Sequence, residues 1–153
     1  MNNNSHDIAV LNGLIETTLD SVKGFASAAE DKNAGSHAAF FEQMAQERSG
    51  VATRLQAMAA GLGGTPEQHS SYGAAAHRVF MNIKNALTGG SERAVIEEVE
   101  RGEDYIKAKY EAALQDAQLT PETRQVIEQA YESVRKGHDR ASVLKHALGH
   151  ERR

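Results

Sequence analysis

Four stretches of the chain carry side chains suited to a buried seam at alternating steps of three and four residues. In residues 7–30 the stripe runs through Ile8, Leu11, Ile15, Thr18, Val22, Phe25 and Ala29. In residues 36–61 it runs through Phe41, Met44, Arg48, Val51, Leu55 and Met58. Residues 91–117 carry Val95, Val99, Gly102, Ile106, Tyr110, Ala113 and Ala117, and residues 121–148 carry Ile127, Ala130, Val134, Gly137, Ala141, Leu144 and Leu148. At 100° per residue these positions share one side of a helix, and the two-residue alternation of a strand fits them poorly. A stripe this narrow is best buried by left-handed packing at roughly 20° between helix axes.

The ends of the stretches carry stop and start signals. Thr120-Pro121 reads as an N-cap followed by proline at the first helical position, where no amide hydrogen is missed. Ser91 follows Gly89-Gly90 and reads as the cap of the third helix. Gly61, Gly63 and Gly64 close the second, since glycine readily takes the left-handed conformation at a helix end.

Connection lengths then order the helices. The first and second are joined by about five residues and the third and fourth by about three, so each pair is expected to form an antiparallel hairpin. Residues 62–90 separate the two pairs, and a short helix is expected there over residues 73–87. On it Ala76, Phe80, Ile83 and Leu87 share a face flanked by His77, Arg78, Asn82 and Lys84. Such a connection can span a 25-residue helix, about 37 Å long at 1.5 Å per residue, so the second and third long helices are expected to run parallel. The predicted fold is all-α, one domain over residues 1–153: a four-helix bundle of two antiparallel hairpins and a long crossover, which is ferritin-like connectivity. An up-down-up-down bundle is the alternative, and it would not need the insertion.

Composition narrows the chemistry. With 40% apolar and 25% charged residues the chain is ordinary globular material, and 5% aromatic content with no tryptophan leaves a core of small aliphatic side chains. The absence of cysteine excludes disulfides, thiolate ligands and a cysteine nucleophile. Net charge is −4 with the signs mixed, and only Arg152-Arg153 is locally basic, so nucleic acid is not an expected partner. No apolar run approaches the ~18 residues of a membrane span, and residues 1–7 are polar; membrane insertion is not expected, and the expected location is the cytoplasm.

The strings LIETTLDSVKGFASAAED, FFEQMAQERS, HRVFMNIKNALTGG and ERGEDYIKAKYEAAL, with the later HDR, resemble an uncharacterised bacterial family of ferritin-like four-helix-bundle proteins catalogued as a domain of unknown function. The resemblance covers nearly the whole chain and implies the fold more than any activity.

Ferritin-like metal sites take one Glu from each of two helices and a Glu-x-x-His motif from each of the other two. Here Glu16 sits about 120° from the centre of its stripe, a flank position. Glu47 is followed three residues later by Gly50, and Glu42 by Ala45, so the paired motif is broken in the second helix. Glu103 lies on an inward shoulder about 60° from its stripe centre. His138 has a similar place, but three residues before it stands Arg135, so the second paired motif is broken too. Glu132 points away from the core.

Arg48 interrupts an otherwise apolar seam between Met44 and Val51, at the height of Thr18, Gly102, Glu103, Gly137 and His138. A guanidinium there would repel a pair of dications, and buried it would need a carboxylate. The expected polar network is Arg48, Glu103, His138 and Thr18, with Glu103 as the acid and Gly102 and Gly137 making room. The simpler alternative has Arg48 reaching to solvent along its aliphatic stem, Glu16 and Glu47 solvated, and His138 structural. A weak iron or manganese site from Glu16, Glu47, Glu103 and His138 is the competing reading.

Other signals are weaker. The glycine pairs fit no phosphate loop, no serine or threonine lies in a nucleophile motif, and Tyr105 and Tyr110 read as packing residues with wet hydroxyls. His146 and His150, four apart, read as part of a solvated end. The sequence is therefore read as non-catalytic and without a cofactor, acting through a homo-oligomer or a protein partner. An oxidative-stress metalloprotein and a small-ligand binder using the gap left by the glycines are the other classes.

Overall fold

The computed structural model describes residues 3–69 and 74–151, with side chains throughout except at residues 3, 74–76, 80 and 144–151. The side chains of Ala76, Phe80, Leu144, His146, Leu148 and His150, and Arg152 and Arg153 altogether, lie outside the described residues. The helices are α1 (Asn3–Glu30), α2 (Ala38–Gly61), α3 (Ala74–Gly89), α4 (Glu92–Leu114) and α5 (Pro121–Glu151), with a 3-10 turn at Gly35–His37 leading into α2. Among the described residues there is no strand.

Local chemistry sets the helix ends. α2 closes when the Gly64 amide returns to the Ala59 carbonyl and the Gly63 amide to that of Ala60, with Gly63 at φ 90°. That is a Schellman ending, and glycine is needed because the left-handed conformation crowds a Cβ. Ser91 caps α4 by accepting the Ala94 amide at 3.2 Å. α4 ends at Leu114, earlier than its apolar pattern suggests. There the Arg124 guanidinium donates to the carbonyls of Leu114 and Asp116, placing a cation on the negative end of the helix.

The contacts give each helix its direction. Phe25 and Ala28 of α1 share a cluster with Phe41 and Met44 of α2, while Leu11 and Ile15 share another with Leu55 and Ala59, so α1 and α2 are antiparallel. Glu111 meets Tyr131 and Asp104 meets His138, so α4 and α5 are antiparallel. His37 reaches Glu92, Arg48 reaches Glu103, and Leu55 shares a cluster with Tyr110; α2 and α4 run parallel.

A crossover in two parts makes that direction possible. Residues 62–69 run back along α1, tied by Asn12 Nδ2 donating to the Thr65 carbonyl and the Glu67 amide donating to Asn12 Oδ1. Gly64 lies so close to α1 that a Cβ there would stand 2.7 Å from Ile8 Cγ2. α3 then lies along α4 with Ile83 and Leu87 buried against Phe25, Val95 and Val99. Ile83 and Leu87 of the crossover helix are therefore turned onto its own bundle.

The interior consists of two apolar clusters. One gathers Leu11, Ile15, Val51, Leu55, Ile106, Tyr110, Ile127 and Val134, and the other Phe25, Phe41, Met44, Ile83, Val95, Val99 and Ala141. Between them each long helix contributes a layer that is not apolar: Thr18 and Ser21 of α1, Arg48 of α2, Glu103 of α4 and Gly137 of α5.

Candidate functional site

Arg48 and Glu103 meet in that layer, each with a side chain 1% exposed. Arg48 Nη1 donates to Glu103 Oε2 at 2.8 Å, and Nη2 donates to Oε1, so the guanidinium and carboxylate pair edge to edge. This fork matches the two carboxylate oxygens, which a point charge such as lysine cannot do. Nη1 also donates to Ser21 Oγ at 2.9 Å, and the guanidinium lies 6.0 Å from the centre of the Phe25 ring. The pair is closed by four elements.

Gly137 gives the pair its space. A Cβ there would stand 2.5 Å from Arg48 Nη2, 2.9 Å from Met44 Cε and 3.0 Å from Glu103 Oε1. Gly102 does something else. A Cβ at that position would stand 2.9 Å from Val79 Cγ1, so its missing side chain admits α3 rather than the arginine. The stripe of α4 is accordingly 95, 99, 103, 106 and 110, with Glu103 on the seam itself and not on its shoulder.

Thr18 and His138 do not join the ion pair. Thr18 Oγ1 donates to the Leu14 carbonyl at 2.7 Å, which uses its only hydrogen, so the Tyr110 hydroxyl donates to Thr18, also at 2.7 Å. Tyr110 is fully buried and its hydroxyl is dry. Burial pushes its phenol up to about 12, with the Arg48 charge opposing. Tyr105 is the exposed tyrosine of the two, at the rim of α4 with the Lys109 ammonium 5.4 Å from its ring centre. His138 Nε2 bonds Asp104 Oδ1 at 2.6 Å on the surface, because Asp104 lies one residue outside Glu103 on the same helix. Its Nδ1 is buried without a hydrogen-bond partner.

The residues weighed as metal ligands are dispersed. Glu47 accepts from Arg140 Nη1 at 3.1 and 3.2 Å, with Arg140 also against Met44 Sδ. Glu103 is held by Arg48, His138 by Asp104, and Glu16 is half-buried on α1. Among the described residues no three His, Asp or Glu side chains gather closely enough to share a metal ion. Of these carboxylates Glu103 has both oxygens on the Arg48 guanidinium, so it does not fit the role of a carboxylate bridging two metals.

Asp7 was not singled out by its place in the sequence. It is fully buried at the start of α1 and accepts the Thr120 hydroxyl at 2.6 Å and the Thr120 amide at 3.3 Å. Thr120 thus uses its hydroxyl to tie the turn before α5 to α1. Nearby His6 Nε2 meets Asp116 Oδ2 at 2.7 Å. The Gln118 amide first, and His6 second, hold the Asp116 carboxyl below the usual carboxylate range.

A cleft opens beside the ion pair between α1, α3 and α4. Ser21 and Glu103 line it, together with apolar side chains that include Phe25, Val79, Ile83 and Val99.

No curated protein matches this chain. Residues 7–116, well over half of the chain and including Thr18, Ser21, Arg48, Glu103 and Tyr110, match the family described as Domain of unknown function (DUF2383), and the chain belongs to that family.

Proposed function

We propose that this chain is a ferritin-like bundle whose central layer is filled by an ion pair in place of metals, and that it acts without catalysis, through a protein partner or a second copy of itself. The observation that carries this reading is the Arg48–Glu103 pair. A site for two metals needs carboxylates free to bridge them, and the central one, Glu103, already has both oxygens on a guanidinium. Removing water from such a pair is tolerable only because the two charges satisfy each other, so the Glu103 charge is not free to hold a metal ion. The connectivity supports the ferritin-like reading: two antiparallel hairpins joined by a crossover that leaves α2 and α4 parallel.

The test is metal content and turnover. The chain, produced without a histidine tag in medium supplemented with iron and manganese, is expected to carry well under one metal ion per chain and to oxidise no ferrous iron catalytically. Two tightly held metals per chain would contradict the reading. Light scattering across a concentration series separates the two modes of contact: a mass above 16.6 kDa supports self-association, and one that stays at 16.6 kDa leaves a different partner.

A further inference from the structure

We propose that the cleft between α1, α3 and α4 binds a small neutral molecule with an apolar body and one hydroxyl, of the phenol or short-chain alcohol class, with the hydroxyl seated on Glu103 and Ser21. The walls are apolar, from Phe25 on α1, Val79 and Ile83 on α3, and Val99 and Ile106 on α4. They suit a body without charge and give its removal from water as the driving force.

The floor sets the head group. A carboxylate can accept about four hydrogen bonds, and Arg48 supplies two to Glu103, one on each oxygen. Ser21 Oγ accepts from Arg48 and retains its own O–H to donate. The floor therefore offers acceptor capacity beside a donor, which a hydroxyl satisfies in both directions. The Glu103 charge is already matched by Arg48, so a charged ligand would bring an unpaired charge into a buried layer. A neutral ligand avoids that penalty.

Size agrees with a small ligand. The cleft is open to solvent on one side and has a volume of about 60 Å³, room for roughly four waters at 10–15 Å³ each. Thr17, Asp20 and Tyr105 line the rest of the cleft.

The proposal is separate from the reading of the bundle as metal-free, and either can fail alone. The experiment is a nuclear magnetic resonance titration of the methyl groups of the full chain with phenol, with 1-butanol, and with toluene as the partner that lacks a hydroxyl. Saturable shifts at Val79, Ile83, Val99 and Ile106 are expected with phenol or 1-butanol, whichever body fits better, and that ligand should bind about tenfold more tightly than toluene. Ser21→Ala is expected to reduce this preference several-fold while leaving toluene unchanged. Val79→Phe is expected to abolish binding by filling the cleft; should it fail to fold, Ser21→Ala and the preference over toluene still decide. Shifts that do not saturate up to the solubility limit mean that the cleft holds water only and overturn the proposal. Toluene binding as tightly as the hydroxyl compounds, or saturation at methyls elsewhere, overturns it equally.

Discussion

Gly137 of α5 leaves open the space that the Arg48 guanidinium fills, since a methyl group at Gly137 would lie 2.5 Å from Nη2. This predicts an unusual sign for a glycine-to-alanine change within a helix. Alanine is normally favoured there by about 1 kcal/mol. Gly137→Ala is instead expected to destabilise by about 1–3 kcal/mol, because the rigid pair and Met44 must shift. Gly13 and Gly50 are the controls: both are exposed, helical and free of neighbours, so alanine should stabilise at each by about 0.5–1 kcal/mol. Urea unfolding of the three variants checks the contrast.

Tyr110 gives the fold a dependence on alkaline pH. Its phenol is raised to about 12 by burial, while the unfolded chain ionises near 10. Because the folded value is the higher, the contribution is whole below pH 10 and is lost as the pH rises through 12. The loss is on the order of 3 kcal/mol over that window. Tyr110→Phe is expected to cost about 1 kcal/mol at neutral pH, from the lost bond to Thr18. Above pH 10 the difference should shrink and then reverse. Unfolding free energies of the two proteins from pH 8 to pH 12 test this, and a constant difference would place the Tyr110 hydroxyl in water.

Asp7 fastens the turn before α5 to the start of α1 through both donors of Thr120. Asp7→Ala is expected to cost about 2–4 kcal/mol, since charge-assisted hydrogen bonds contribute roughly 1.5–3 each and the Thr120 donors would be left part-buried. Asp7→Asn keeps the acceptor and is expected to cost clearly less. Hydrogen exchange at the Thr120 amide gives a local readout: faster in the alanine variant, little changed in the asparagine one.

The helices and the polar residues between them differ in how far the sequence discloses them. The helices follow from the stripes, because burial on one side of a helix forces apolar spacing of three and four. Arg48 is visible as the one charge on such a stripe. Glu103 is visible only as a nearby acid. Residues 102 and 103 both continue the α4 spacing, and counting apolar character selects the glycine, so the register is off by one position. That same slip assigns Gly102 to the arginine when its neighbour is Val79, and the network expected around Arg48 includes His138, whose partner is Asp104. Asp7 gives no signal, since the sequence starts the helix at residue 7 and an acid at a helix start is ordinarily there for the helix dipole. Tyr110 lies on the stripe, but the polar partner of its hydroxyl, Thr18, is 92 residues distant and depends on how two helices face each other.

The Arg48–Glu103 pair itself is tested most directly by a double-mutant cycle. Urea unfolding of Arg48→Met, Glu103→Leu and the two together would be compared with the unaltered chain at neutral pH. If the pair is the buried centre of the bundle, each single change strands a charge and costs about 3–5 kcal/mol. The double variant strands none and is expected to lie within about 1 kcal/mol of the parent, or above it, which gives a coupling of several kcal/mol. Single changes of about 0–1 kcal/mol with no coupling would mean that both charges are solvated, and would contradict the account.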